Sequence, residues 1–263
     1  YCWGDNRFGQ LGNSDFHDSY STVPIEVKES TSAFAGNKIS AIGGTGDASC
    51  AIASGKVYCW GRNEKGQLGR GPVGSPSFSA TPNQIKSGGV DKIPSNYSAV
   101  KVSTGGTRSQ TMCVITTEKR AYCWGMAKYG QMGIGSPAKN FYGEATRVVN
   151  LEGVTDISQD GYTWETDHSR PIYEYLSHTC AIASGKVYCW GGAGRGQSGP
   201  PPGGPGFGVY FTRAEIAGLP GEPKSIGAGI SHTCALVDVS GTNKVYCWGS
   251  NEFGQLGAGE NSD

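Results

Sequence analysis

Charge is scarce in this chain and neither sign is in surplus. Twenty-two Lys and Arg face twenty-two Asp and Glu, and charged residues make up 17% of the 263. A balanced chain has no global field to recruit a polyanion or an anionic lipid surface, so neither nucleic acid nor direct membrane insertion is expected. Long apolar runs are missing as well. Hydrophobic residues reach only 37%, and no run approaches the ~18 residues of a spanning helix. Glycine is abundant instead: 43 glycines with 13 prolines are about twice ordinary glycine usage and interrupt any long helix. The length suits one large β domain or two smaller ones. The sequence opens inside a motif, without initiator Met or signal peptide, so a mature fragment or a partial stretch of a longer chain is expected.

Self-similarity supplies the architecture. The string Tyr-Cys-Trp-Gly occurs at Tyr1, Tyr58, Tyr122, Tyr188 and Tyr246, at periods of 57, 64, 66 and 58 residues. Four copies continue into Gly-Gln-(Leu or Met)-Gly at residues 9–12, 66–69, 130–133 and 254–257, and the fifth reads Gly196-Gln197-Ser198-Gly199. Short apolar segments precede four of the copies: Cys50-Ala51-Ile52-Ala53, Cys113-Val114-Ile115, Cys180-Ala181-Ile182-Ala183 and Cys234-Ala235-Leu236-Val237. Strand-like runs, Gly turns and a period of 57–66 residues predict the blades of an all-β propeller rather than a helical solenoid. The repeat intervals 1–57, 58–121, 122–187, 188–245 and 246–263 form a single repeat domain.

His-Thr-Cys-Ala-(Ile or Leu) at His178 and His232, then a turn, Val-Tyr-Cys-Trp-Gly and Asn-x-x-Gly-Gln-Leu-Gly, resembles the repeats of the regulator of chromosome condensation family. The resemblance covers nearly the whole chain and implies a β-propeller of four-stranded blades, normally seven. Seven blades at this period need roughly 400–460 residues. Four full repeats and a leading half-motif are present here, so the chain is expected to be part of a larger propeller. The alternatives are completion by a neighbouring copy, or an arc that closes with fewer blades.

Eight of the nine cysteines flank one hairpin per repeat. A two-residue turn at Ser54-Gly55 pairs Ala53 with Lys56, Ile52 with Val57, Ala51 with Tyr58 and Cys50 with Cys59. The pair beside the turn is hydrogen-bonded, so the fourth pair out falls on a non-hydrogen-bonded site. Cα atoms there approach to ~4.5 Å, within disulfide range. Cys180 and Cys189 flank Ser184-Gly185 in the same register. The Cys113 hairpin has one extra residue and the Cys234 hairpin four. Counting inward leaves turns at residues 117–119 and 238–243, with Arg120 and Lys244 in the place of Lys56. Four bridges are expected: Cys50–Cys59, Cys113–Cys123, Cys180–Cys189 and Cys234–Cys247. Buried free thiols are the competing reading. Zinc is opposed by the lack of a two-residue Cys spacing or a convergent His pair. Cys2 has the repeat position with its partner expected before Tyr1. Disulfides imply an oxidising compartment, hence an extracellular or cell-surface location.

Trp3, Trp60, Trp124, Trp190 and Trp248 share one repeat position, which favours packing between blades over a ligand platform. The glycines after them suggest close backbone approach, and Gln10, Gln67, Gln131, Gln197 and Gln255 are expected to satisfy backbone groups in the turns. Structural hydrogen bonding is the expectation for His178 and His232. No Ser-His-Asp order, phosphate-binding loop or zinc-protease motif stands out, so no enzyme, cofactor or metal is expected.

Specificity on a repeated scaffold belongs to what differs between repeats. From Ile42 to Cys50 and from Ile226 to Cys234 the interval is eight residues, but from Ile157 to Cys180 it is twenty-three. This insertion, residues 158–175, holds the binding candidates Tyr162, Trp164, Asp167, Arg170, Tyr173 and Tyr175, a mixture typical of interface hot spots. A loop that merely covers a blade end is the alternative. Residues 69–93 and the Pro-rich 199–206 are further variable loops, the latter polyproline-like. Asn96-Tyr97-Ser98 is an N-glycosylation sequon. The expected function is a non-catalytic extracellular structural or recognition module that contacts a protein partner or copies of itself. A secreted inhibitor or receptor ectodomain is the alternative. Guanine-nucleotide exchange, the activity the resemblance implies, is opposed by the disulfide register and the neutral charge.

Overall fold

The computed structural model describes residues 1–14, 19–28, 34, 36–74, 76–106, 110–135, 138–161, 177–199 and 208–259. Among the described residues every regular element is a strand. A leading pair, β1 (Cys2–Asp5) and β2 (Tyr20–Ile25), is followed by three four-stranded antiparallel meanders. The first contains β3 (Ile39–Gly44), β4 (Ala48–Ala53), β5 (Lys56–Arg62) and β6 (Phe78–Gln84). The second contains β7 (Ala99–Thr104), β8 (Thr111–Thr116), β9 (Ala121–Met126) and β10 (Phe141–Arg147). The third contains β11 (Val154–Asp160), β12 (His178–Ala183), β13 (Lys186–Gly192) and β14 (Val209–Glu215). A three-stranded sheet, β15 (Glu222–Ala228), β16 (His232–Val239) and β17 (Thr242–Gly249), ends the series. First strands of successive sheets touch one another, β3 on β7, β7 on β11 and β11 on β15, so they form the inner side of an arc of propeller blades. The leading pair and the last sheet are separate sheets, and the arc is open.

The core is a row of layers between sheets. Ile52, Val57, Leu68, Met112, Val114 and Trp124 fill one layer, Ile115, Met132, Ile157 and Trp190 the next, and Ile182, Val187, Ala235 and Val237 the third. Strands β8, β9 and β12 are buried at every residue because a sheet covers each face. Hydrophobic runs without alternation, such as Cys180-Ala181-Ile182-Ala183, are what such sandwiched strands require.

The cysteine pairs lie on neighbouring strands in direct register: Cys50 opposite Cys59, Cys113 opposite Cys123, Cys180 opposite Cys189 and Cys234 opposite Cys247. All four are disulfide-bonded, each with Cα atoms 4.1 Å apart. Ser54-Gly55 and Ser184-Gly185 have positive φ at both positions, the mark of a two-residue type I′ turn. The three-residue loop of β8–β9 has Lys119 at φ 55°, the left-handed third position of that loop class. The β16–β17 hairpin departs from the turn at 238–243. Asp238 pairs with Asn243 and Val239 with Thr242, and the turn is Ser240-Gly241. Two added pairs lengthen the ladder by a full pleat, so the cysteines keep the same non-hydrogen-bonded parity.

One contact recurs at every blade boundary. The indole nitrogens of Trp60, Trp124, Trp190 and Trp248 donate to the backbone carbonyls of Gln10, Gln67, Gln131 and Gln197 in the preceding repeat, at 2.8, 2.7, 2.9 and 3.0 Å. Each Gln side chain turns back instead, its Oε1 accepting the backbone N–H two residues earlier at 2.8–2.9 Å. Asn6, Asn63 and Asn251 clamp the same loops by accepting the N–H of Leu11, Leu68 and Leu256. Three of the Gln carbonyls take a second donor, a hydroxyl from the residue paired with the Trp: Ser49 at 2.9 Å, Thr179 at 2.7 Å and Thr233 at 3.0 Å. Opposite Trp124 stands Met112, which has no hydroxyl to give. Space for the indole comes from the last glycine of the motif, since a Cβ on Gly12 or Gly133 would lie 2.7 Å from the Trp60 or Trp190 nitrogen.

That asymmetry is testable. Trp124→Phe removes the side-chain donor of the buried Gln67 carbonyl, whereas in Trp190→Phe the Gln131 carbonyl retains Thr179. A buried acceptor left without a partner costs about 1–3 kcal/mol. Urea unfolding should show Trp124→Phe more destabilised than Trp190→Phe, and equal losses would remove the carbonyl from the account.

Candidate interaction face

In a four-stranded meander the connections from first to second and from third to fourth strand emerge at the same end. That end therefore carries the Gly-Gln-Leu-Gly loops, the described parts of the loops before β4, β8 and β16, and the two described feet of the β11–β12 connection, Gly161 and Ser177. The residues of this connection with chemical character, Tyr162, Trp164, Asp167, Arg170, Tyr173 and Tyr175, lie outside the described residues, as do residues 200–206 of the Pro-rich segment 199–206. The feet of the connection are described. Gly161 packs so tightly on Ser177 that a Cβ would sit 2.1 Å from the Ser177 Cα. The Ser177 carbonyl accepts the Gly192 N–H at 2.8 Å, and His178 is buried with Nε2 2.7 Å from the Thr233 hydroxyl. The Thr233 hydroxyl lies between His178 Nε2 at 2.7 Å and the Gln197 carbonyl at 3.0 Å. His178 thus joins neighbouring blades.

Asp160 ties the entry foot to the adjacent loop. Its carboxylate accepts the N–H of Gly161 at 2.6 Å and of Gly106, at the start of the preceding blade's loop, at 2.9 Å. Burial pushes its pKa above the ordinary aspartate range, partly opposed by these two N–H bonds. Deeper along the arc, Asp156 receives Lys101 from the previous blade, and Ser225 Oγ at 3.0 Å and the Ile226 N–H at 2.9 Å from the next. One carboxylate thereby locks three inner strands. Toward the leading end the same face is polar and mixed in sign: Arg62 pairs with Asp47 at 3.0 Å and with Glu64, and its guanidinium lies 4.6 Å from the Phe8 ring centre.

Neither Asp156 nor Asp160 stands out in the sequence. Ala41, Lys101, Asp156 and Ser225 occupy equivalent places on the four inner strands, and only the fold shows that two of these residues are charged partners. The Asn of Asn-x-x-Gly-Gln was visible as a repeated letter at Asn6, Asn63 and Asn251, and its spacing of four residues before Gln was the available signal. Asn96 is exposed on the opposite end, beside Tyr97, whose buried hydroxyl accepts the Val57 N–H at 3.0 Å. Among the described residues no group of three or more His, Cys, Asp or Glu could hold a metal ion.

The sequence repeat and the series of four-stranded antiparallel sheets point to one family. Models of the regulator of chromosome condensation (RCC1) repeat match residues 1–52, 54–113 and 224–255, more than half of the chain. The chain belongs to the RCC1 repeat family. It is 27% identical to the ultraviolet-B receptor UVR8 of Arabidopsis thaliana over 100% of its own length and 51% of that protein. It is 30% identical to the mitochondrial RCC1 domain-containing protein RUG3 of the same plant, over 98% of the chain and 51% of the relative. Against the human E3 ubiquitin-protein ligase HERC2 the identity is 29%, over 98% of the chain but 5% of HERC2. The chain thus spans about half the length of its curated plant relatives. Among solved structures, human WBSCR16 superposes with a TM-score of 0.72 at 19% identity, covering 99% of the chain and 59% of that structure. Yeast RCC1 (Prp20), solved bound to Kap60, gives 0.53 at 17% identity, covering 99% and 68%. Both likenesses concern the fold alone.

Asp160 carries a pH signature. A carboxyl whose folded pKa is raised contributes stability that is fully present below the ordinary aspartate value and is lost as pH rises through the folded value. Asp160→Asn lacks this component. Its stability relative to the native chain should therefore improve from about pH 4 to about pH 7 in urea unfolding, measured around the ordinary aspartate pKa. A relative loss over that range would show that the two N–H bonds outweigh burial.

Proposed function

We propose that this chain is the rigid part of a non-catalytic extracellular or cell-surface recognition module, in which disulfide-stapled blades hold variable loops against a protein partner. The observation that carries the reading is the bridge in every complete hairpin: four disulfides at one register position suit an oxidising compartment and are rarely maintained in the cytosol. Protein interaction is supported by a structural relative, yeast RCC1, solved in complex with Kap60. The residues common to the repeats are occupied in packing. Recognition is therefore assigned to residues 162–175, aromatic and charged in composition, in a connection whose described feet are Asp160, Gly161, Ser177 and His178. Asn96, exposed within its sequon, would carry a glycan in a eukaryotic secretory pathway and would leave the insertion end of the blades clear.

Two measurements test this. Non-reducing peptide mapping of secreted protein should recover each cysteine pair within its own hairpin; free thiols or bridges between repeats would defeat the extracellular assignment. Trp164→Ala with Tyr173→Ala should weaken capture of the partner by about tenfold or more, as loss of interface aromatics does, with little change in melting temperature. A large loss of stability at unchanged capture would make the insertion a core element.

A further inference from the structure

Asp160 ends β11 with a glycine immediately after it, and this Asp-Gly step is unique: no other aspartate and no asparagine of the chain precedes a glycine. Packing requires that glycine. A Cβ at position 161 would lie 2.1 Å from the Ser177 Cα and 2.7 Å from the Ser177 backbone nitrogen. On the other side, Gly106 brings the preceding blade's loop so close that a Cβ there would sit 2.4 Å from Asp160 Oδ1. The Asp160 carboxyl is therefore held against two backbone nitrogens, Gly161 at 2.6 Å and Gly106 at 2.9 Å, both on Oδ1. The first nitrogen belongs to the peptide bond that follows Asp160 itself. Placed there and unshielded by a Cβ, it is a nucleophile kept beside an electrophilic carbon, Cγ of the same carboxyl. Burial favours the neutral acid, whose hydroxyl can leave as water; the ionisable group acting on it, His232 of the next blade, opposes this more weakly. Asp156 on the same strand offers the contrast. Its carboxylate is ion-paired with Lys101, and the residue after it is the branched Ile157.

We propose that Asp160-Gly161 is a self-modification site, at which ring closure to a succinimide and reopening to isoaspartate unlatch β11 from the loop of the preceding blade. The Gly161 nitrogen bonds to Asp160 Cγ. The Cγ–OH bond breaks, and the hydroxyl leaves with the amide proton as water. A five-membered imide then joins the two residues, with no oxidant or reductant needed. Water next adds to either ring carbonyl. Opening at Cγ regenerates aspartate, whereas opening at the α-carbonyl routes the main chain through Cβ and leaves a carboxylate directly on Cα. The isoaspartyl form has one more backbone atom and has lost the methylene that carried its carboxylate toward Gly106. It cannot keep both the strand position opposite His178 and the bond to the Gly106 N–H. The change therefore releases the entry foot of the β11–β12 connection. The Cys180–Cys189 bridge and the Trp190-to-Gln131 contact, both away from this peptide, stay in place.

The test compares the folded chain with a synthetic peptide of residues 153–165, the segment that cleavage after Glu152 and Glu165 releases from the protein. Both are incubated at about pH 6, where only ~1% of a free aspartate carboxyl is neutral. The folded chain keeps more of it neutral and holds the nitrogen beside it. Succinimide is read as the loss of one water by mass, and isoaspartate by labelling with an isoaspartyl O-methyltransferase after cleavage. Their sum at Asp160 should accumulate about threefold or more faster in the folded chain than in the peptide. The excess should vanish when the disulfide-intact chain is unfolded in urea, and Asp160→Glu, whose ring would need six members, should abolish it. In the aged folded chain the Gly106 amide should lose its protection from hydrogen exchange. Accumulation no faster than in the peptide would overturn the proposal, as would an excess that persists in urea or equal modification at Asp156. Retained Gly106 protection would overturn the unlatching. None of these outcomes depends on whether residues 162–175 bind a partner.

Discussion

The fold depends on a backbone carbonyl that is pushed out of one blade and covered by the next. Within the Gly-Gln-Leu-Gly loop the Gln side chain bonds back to the loop and Asn, where present, clamps it from the other side. The Gln carbonyl is left facing the neighbouring sheet. Buried there without a partner it would cost about 1–3 kcal/mol; the indole of the following repeat removes that cost and fills the interface with its largest side chain. The final glycine keeps clear the volume that the indole occupies. Tyr-Cys-Trp-Gly and Gly-Gln-Leu-Gly are consequently two halves of one contact made between consecutive repeats, and this explains why they recur together.

The same reasoning orders the disulfides. A bridge needs two cysteines on the same face at a close, non-hydrogen-bonded pair, and the strand period of two residues makes this a question of parity. Hairpins can change length as long as parity is kept, and the Cys234–Cys247 hairpin does so by extending its ladder to Ser240-Gly241. Parity could be read by counting in the sequence. The place where the ladder stops could not, because Asp238 and Asn243 could lie in a loop or in a strand without moving the cysteines.

Legibility ended where contacts ceased to repeat. Propeller blades, inter-blade tryptophans and hairpin bridges each recur with the repeat, so one correct reading applies several times over. Asp156 is single: Lys101, Ser225 and Ile226 reach it from blades some 55–70 residues away. Asp160 likewise bonds Gly106 across 54 residues. Such pairings follow from the curvature of the arc, which sets neighbouring inner strands side by side, and no local pattern encodes them. The insertion was conspicuous for the opposite reason: it breaks the repeat, and a break in a regular text is easily seen although its conformation is not given by it.

A repeated architecture with nearest-neighbour contacts distributes its stability unevenly. The central sheets, covered on both faces, contain strands buried throughout, while β17 runs from four exposed residues to four half-buried ones without a buried one. At the leading end Trp3 is 66% exposed, although the four tryptophans at the same repeat position are buried or half-buried. The sequence motif is equally complete at Trp3 and at Trp124; only the neighbour differs. Burial at a given repeat position is therefore a property of the preceding blade as much as of the residue itself. The free thiol at Cys2, the uncovered Ile42 and the exposed Trp3 accordingly share one cause: among the described residues no complete sheet packs on that side of them.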